Sequence, residues 1–344
     1  MDFFDPRLNL ARRRLLWTSA LAFGLAAVPG RQARAQAKAV PAPAPAQLRI
    51  GFQKSAVNLV ILKQQAALEK RFAGSKVQWV EFPAGPQLLE ALAVGALEFG
   101  LTGDSPPVFA QAAGKDLVYV GAEPPKPLSS AILVPRDSAL KTLADLKGRR
   151  IALQKGSSAH YLLVRAVERG GLQWADITPI YLAPSDARAA FERGAVDAWA
   201  IWDPFYAATE LDIKPRVLST GKDLSSNNSF YLASRNFAEQ YPQALQALFE
   251  ELTRADAYVQ GSRKESAQLI ADFSGLNLAT VHLFLSRRPT SPVGPLTPAI
   301  VADQQRVADA FLRIGLIPKP VVVADIVWKP RNSLARSGPA NPKS

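Results

Sequence analysis

Five consecutive residues, Gln154-Lys155-Gly156-Ser157-Ser158, carry the clearest chemistry in the 344-residue chain. An apolar run ends at Gln154 and helical spacing begins near Ser158, so the segment sits where a strand turns into a helix. The first N–H groups of a helix lack internal partners and carry the positive end of its dipole. An anion fits there without a buried counter-charge. Gly156 permits close backbone approach, and Ser157 and Ser158 offer hydroxyls, one of which can cap the helix. A plain N-cap is the competing reading of the same residues.

Gln53-Lys54-Ser55 and Thr102-Gly103-Asp104-Ser105 stand at the ends of two further expected strands. Thr102 and Ser105 can donate to an oxyanion, and Pro106 suits a first helical position. A carboxylate facing an anion would repel it, so Asp104 reads as a cap or as a group that orients a donor. A fourth segment is Trp199-Ala200-Ile201-Trp202-Asp203-Pro204. Alternation puts Trp199 and Ile201 on one face and Trp202 on the other. Trp202, at the strand tip, could wall a cleft and donate its indole N–H. Trp199 belongs to the core, and Asp203 shares the ambiguity of Asp104.

Catalytic readings find less support. The chain has no cysteine, which excludes a thiolate metal site, a Cys nucleophile and a disulfide framework. Ser157 and Ser158 lie near His160, but no Gly-x-Ser-x-Gly elbow surrounds them. His282 is the other histidine, and neither has neighbours at metal-ligand spacing. The expectation is a binding protein without catalytic residues, metal or cofactor. An exported hydrolase using Ser157 or Ser158 with His160 is the alternative from a different class.

These segments need elements to position them, and two stretches supply an alternation of strand and helix. In the first, strands fall at 48–53, 76–82, 98–102 and 117–121, with helices at 59–71, 87–94 and 105–113. In the second, strands fall at 131–135, 150–154, 177–182 and 197–201, with helices at 158–169 and 186–192. A strand returns at 230–233, and helices follow at 242–259 and 298–314. Such alternation argues parallel sheets flanked by helices. A weak repeat joins the two stretches: RIGFQK at 49–54 recurs as RIALQK at 150–155, and GALEFGLTGD at 95–104 as GAVDAWAIWD at 194–203. Two matches in order, at offsets of 101 and 99, imply two similar lobes whose strand ends face a shared cleft.

The N-terminus reads as a processing segment. Arg12, Arg13 and Arg14 precede an apolar run of 14 residues, 15–28, and A-x-A sites end at Ala35 and Ala37. The run is shorter than the roughly 18 residues of a spanning helix. A signal peptide over 1–35, a Pro/Ala linker over 36–46 and a periplasmic mature chain are expected; twin-arginine and general secretory export both remain open. Without the six arginines and two aspartates of 1–35, the net charge falls from +12 to +8. The remaining bases form no run, so nucleic acid is not an expected partner.

With these motifs in place, the chain resembles the aliphatic sulfonate-binding proteins of ABC importers, in the sulfonate/taurine/nitrate group. The likeness rests on IGFQKS at 50–55, FPAGPQLL at 82–89, TGDSPP at 102–107, AEPP at 122–125, LQKGSSAHY at 153–161 and VDAWAIWDP at 196–204. It continues through Arg287-Arg288-Pro289 and PLTP at 295–298, and so spans about 47–330. The resemblance implies an α/β, two-lobed type II periplasmic-binding-protein fold, each lobe a mainly parallel sheet flanked by helices, with ligand in the interlobe cleft. It implies lobe I over 47–124 and 237–336, lobe II over 125–236, crossings near 123–126 and 234–237, and a disordered tail over 337–344. It assigns ligand contact to Gln53, Thr102, Asp104, Ser105, Gly156, Ser157, Ser158, Trp202 and Asp203, with Asn227 and Asn228 as weaker candidates. Arg287 and Arg288 could supply charge, although paired arginines at a helix end are usually solvated. Implied partners are a small sulfonate anion and the permease and ATPase subunits of an importer serving sulfur acquisition, with the binding protein monomeric. Taurine, nitrate or a thiamine-precursor pyrimidine are alternative ligands; taurine would need Asp104, Asp203 or Glu123 for its ammonium.

Overall fold

A computed structural model describes residues 44–289 and 293–329. The segments expected as signal peptide and tail, and most of the linker, lie outside the described residues. No described helix is long and apolar enough to cross a membrane.

The described chain opens with β1 (Gln47–Phe52), α1 (Val57–Gln64), α2 (Ala67–Arg71), β2 (Lys76–Glu81), α3 (Gly85–Ala93), β3 (Phe99–Gly103), α4 (Ser105–Ala112) and β4 (Leu117–Glu123). A first crossing leads to β5 (Ser130–Val134), β6 (Arg150–Leu153), α5 (Ser158–Arg169), β7 (Thr178–Tyr181), α6 (Pro184–Glu192), β8 (Ala198–Trp202), α7 (Phe205–Asp212) and β9 (Arg216–Thr220). The chain then returns through β10 (Ser229–Ser234) to α8 (Arg235–Gln240), α9 (Pro242–Gly261), α10 (Arg263–Ser274), α11 (Leu278–Ser286) and α12 (Pro298–Arg313).

The strands form two five-stranded sheets, β2-β1-β3-β10-β4 and β7-β6-β8-β5-β9. In each, the first three strands are parallel and the fourth runs against both neighbours. The sequence repeat is the strand register itself. Ile50 pairs with Phe99 and Gly51 with Gly100; Ile151 pairs with Ala198 and Ala152 with Trp199. The outer locks repeat too. Arg49 holds Glu98 and the Gly95 carbonyl, as Arg150 holds Asp197 and the Gly194 carbonyl.

The second crossing departs from expectation. It spans 221–228, ahead of β10, and not 234–237, so lobe II does not extend to 236. Phe230, Tyr231, Leu232 and Ala233 are fully buried. A strand buried on both faces belongs inside a covered sheet, and β10 achieves this between β3 and β4 of lobe I. The helix expected over 59–71 is also two. Ala66 adopts φ +49°, a left-handed conformation that ends a helix, and Lys70 donates to the Gln65 carbonyl left exposed at the break. The sequence reading contains none of α7, α8, α10, α11 and β9; each helix is 12 residues or fewer, and β9 is a half-buried edge strand without alternation.

Alternate residues of β1, Leu48, Ile50 and Phe52, pack with Leu248 and Leu252 of α9 and Phe284 of α11, which ties the helical C-terminal third to lobe I. On the opposite side, Tyr119 and Phe230 join Phe311 of α12, and this cluster also takes in Tyr161 and Val164 of α5 from lobe II. Lobe II packs around Trp199, which is fully buried beside Phe191. Trp199→Ala is expected to cost about 3–5 kcal/mol, read from urea midpoints; a loss below about 1 kcal/mol, the level of an ordinary surface change, would mean the lobe does not depend on that ring.

Candidate functional site

At the carboxyl ends of β1, β3, β6 and β8 the lobes close on a cavity of about 30 Å³. That is room for about two water-sized groups. Gln53, Ser157, Ser158, Trp202, Asp203 and Asn227 all line it, converging from both sheets and the second crossing. The reversed strands contribute from their amino ends, through Ser129 before β5 and Ser229 at the start of β10. The lobes touch here. A Cβ added to Gly103 would lie 3.0 Å from the Cβ of Ser158 across the cleft.

Four residues assigned from the sequence do not line this cavity. On β3, Leu101 and Gly103 face it, so strand alternation turns Thr102 away. Ser105 donates its hydroxyl to Asp104 at 2.9 Å, and the Asp104 carbonyl accepts from Gln304 of α12 at 2.6 Å. Burial pushes the Asp104 carboxyl up to about 7, against the hydrogen bonds from Ser105. Gly156 gives its N–H to His160 Nδ1 at 3.1 Å and faces Phe109 and Pro86 of lobe I. Asn228 is likewise turned away and donates to Asp303.

The paired arginines are not solvated. Arg287 crosses from lobe I to Asp203 at 3.0 Å and to Glu210, with its guanidinium 3.8 Å over the Tyr206 ring. Arg288 meets Glu123 at 3.3 Å. Both cations are answered by acids, and neither lines the cavity.

The cation that does line it is Lys126, on the first crossing, which the motif reading passed over. Its ammonium donates to Glu123 at 3.2 Å and to Ser229 at 2.6 Å. An ammonium has three donors, so one N–H remains. Burial lowers the Lys126 pKa, and the neighbouring Glu123 charge opposes that shift. For Glu123, burial is overcome by the charges of Arg288 and Lys126, which hold the carboxyl down at about 2. Tyr231 completes the cluster by donating to Glu123 at 3.1 Å. A signal was available: a lysine between prolines, in a segment that must border the cleft because it joins the lobes.

Two further groups stand ready. The Ser129 hydroxyl is buried without a partner, as is Asp203 Oδ2. Asp203 Oδ1 accepts from Arg287 and from the Ala207 N–H. Burial drives this carboxyl up to about 7, against the Arg287 charge.

The helix starts differ in what they can offer. At α5, Ser157 Oγ donates to the Gln154 carbonyl at 2.8 Å and leaves the cap open. The N–H groups of Ser158 and Ala159 find no acceptor among the described residues. At α4, Pro106 and Pro107 have no N–H to give. At α7, the Asp203 carboxylate already occupies the position. The start of α1, which follows Gln53 and Ser55, likewise has no acceptor for its Asn58 and Leu59 N–H groups among the described residues, so two of these four helix starts present free amides.

The hydrolase alternative meets a different geometry. His160 is fully buried among Trp174 and Tyr181 of its own lobe and Phe109 and Phe311 of lobe I, and its Nε2 has no partner. Ser157 bonds Gln154, so no serine–histidine pair forms. Among the described residues, no group of three or more acids or histidines could hold a metal.

Comparison with known proteins fits this arrangement. The family described as "NMT1/THI5 like" matches residues 71–265. An aliphatic sulfonates-binding protein of Escherichia coli (strain K12) is 50% identical over 283 residues, covering 82% of this chain and 89% of that one. The chain belongs to the aliphatic sulfonate-binding proteins. Within that family, the alkanesulfonate-binding protein SsuA of Xanthomonas axonopodis pv. citri, solved bound to MOPS, shares 52% identity and superposes with a TM-score of 0.81, over 83% of this chain and 99% of that one. More distant is a taurine-binding periplasmic protein of Escherichia coli (strain K12), 27% identical over 285 residues and covering 74% of this chain and 88% of that one. The two-lobed α/β fold is thus shared with these periplasmic binding proteins.

His160 yields a pH test. Burial, aided by the Lys155 charge, lowers its pKa from 6.5 to about 3. Between those values the unfolded chain binds the extra proton, so stability is lost as pH falls from about 6.5 towards 3. His160→Asn keeps an acceptor for Gly156 and cannot titrate. It is expected to remove this component, up to ~1.4 kcal/mol per pH unit, in urea midpoints at pH 7 and 5. Equal pH slopes for the two proteins would mean the imidazole protonates freely in the fold.

Proposed function

We infer that this protein is the extracytoplasmic solute-binding component of an ABC importer and captures aliphatic sulfonates for sulfur acquisition. The carrying observation is the small cavity between the lobes, lined by Lys126 with one ammonium N–H to spare, by Ser129 with its unpartnered hydroxyl, and by Ser158 at the open start of α5. A sulfonate head has three acceptor oxygens and a single negative charge. One cation and several neutral donors match it through charge-assisted hydrogen bonds. A dianion such as sulfate would keep a second, uncompensated charge in a buried space. No bond needs to be made or broken, and the protein acts as a carrier, not an enzyme.

In this reading Gln53, Ser157, Ser158, Trp202 and Asp203 form the ligand site, joined by Lys126 and Ser129. Ligand favours the closed arrangement because its contacts come from both lobes, and the closed monomer then docks on the permease and its ATPase in the periplasm. The unpartnered Asp203 Oδ2 supports a second reading, taurine, whose ammonium that oxygen could accept.

Titration calorimetry with ethanesulfonate, taurine, sulfate, nitrate and a thiamine-precursor pyrimidine separates these readings. Heat from ethanesulfonate with weak or no response to sulfate is expected. Tighter binding of taurine would transfer the assignment to the aminosulfonate, and silence from every sulfonate would remove both. Lys126→Gln is expected to weaken sulfonate binding about 30-fold or more, the loss of a buried charged hydrogen bond. An unchanged affinity would place the anion away from the crossing.

A further inference from the structure

Asp203 is the acid on the cavity wall, and a sulfonate can lie beside it only if its charge is answered. The side chain is 1% exposed, and a carboxylate so enclosed keeps its charge only when a cation is paired with it. Lys126, the other charged residue that lines the cavity, is committed to Glu123 and Ser229. The cation that answers Asp203 comes from the opposite lobe. Arg287, just past the end of α11, donates to Oδ1 at 3.0 Å, while the Ala207 N–H donates to the same oxygen from within lobe II.

Arg287 is pinned where it stands. Its guanidinium lies 3.8 Å over the Tyr206 ring, and Glu210 accepts from its second nitrogen. Glu210 is a third exposed, so water screens its charge, whereas Asp203 and Arg287 meet almost out of solvent. Towards the cavity the pair is therefore close to neutral, although Asp203 Oδ2 is left without a partner. Without Arg287 the carboxyl would have to take up a proton, or a cation carried by the guest. Burial already draws its pKa up to about 7 against the Arg287 charge. Taurine carries such a cation and ethanesulfonate does not; the two differ by that ammonium alone.

Resting on the sulfonate reading above, we propose that Arg287 is a specificity-determining residue that acts through Asp203: it supplies the acid's counter-charge from lobe I, so that the site takes sulfonates with uncharged substituents in preference to aminosulfonates. It does so without lining the cavity, as a positioning residue behind the wall. An ammonium brought to Asp203 meets a carboxylate that already has its cation, and lies near a second positive charge.

The test is calorimetry on the full chain with ethanesulfonate and taurine, read as the ratio of their affinities. The unaltered protein is expected to favour ethanesulfonate. Arg287→Met is expected to move the ratio towards taurine by about tenfold or more, the scale of one hydrogen bond to a charged group. Arg287→Lys keeps a cation and is expected to restore most of the original ratio. Glu210→Gln, which alters the rim and leaves the Asp203 pair, is expected to leave the ratio as it was. Asp203→Asn leaves the Arg287 charge uncancelled and is expected to move the ratio away from taurine, which tests the inference even if Arg287→Met fails to fold. A ratio unmoved by Arg287→Met in a folded protein, a ratio moved towards taurine by Asp203→Asn, or a preference of the unaltered protein for taurine overturns the role of Arg287 and leaves a sulfonate ligand standing. Silence from both ligands in the unaltered protein overturns both.

Discussion

Glu123, enclosed at the end of β4, answers two cations and a phenol at once, and the ligand side of the molecule is arranged around that cluster. A buried lysine without an acid partner would shed its proton or draw in water. With Glu123 held ionised, Lys126 can stand at the cleft as a cation, fixed by Ser229 and aimed from the segment that joins the lobes. The charge that attracts an anion is therefore anchored to the crossing itself. Both of its partners belong to the lobe I sheet, so it is held from that side of the cleft.

Duplication provides the frame, but function breaks its symmetry. The equivalent pairs Ile50/Phe99 and Ile151/Ala198, and the matching Arg49–Glu98 and Arg150–Asp197 locks, describe one lobe built twice. At the strand tips the copies diverge. Asp104 turns towards Ser105 and α12, while its counterpart Asp203 reaches across to Arg287. Prolines silence the start of α4, a carboxylate fills the start of α7, and α1 and α5 keep amides free. Helix dipoles alone would not have separated those two ends from the others; the side chains did.

Much of this was legible in the sequence, for reasons that can be traced. Helix α5 follows from strong amphipathic spacing with Ser157 before it and Gly170 after it. The two-lobe reading follows from a repeat whose offsets are the strand register. That Gln53, Ser157, Ser158, Trp202 and Asp203 line one cavity follows from strand ends in such sheets sharing a cleft. Thr102 was misread because a motif lists neighbours without saying which face each takes. Gly156 was misread because its N–H answers His160, a contact that spacing alone does not specify. Lys126 and the true second crossing depend on long-range pairing: Ser229 opens a strand that inserts between β3 and β4, more than a hundred residues away in sequence.

Residue 103 carries one more consequence. Its missing side chain leaves room for β3 to lie against the first turn of α5, where a would-be methyl would fall 3.0 Å from Ser158 Cβ, inside ordinary contact distance. A side chain there would act as a wedge between the lobes in the arrangement described. A single bare α-carbon thus sets how closely the two lobes can meet at this point.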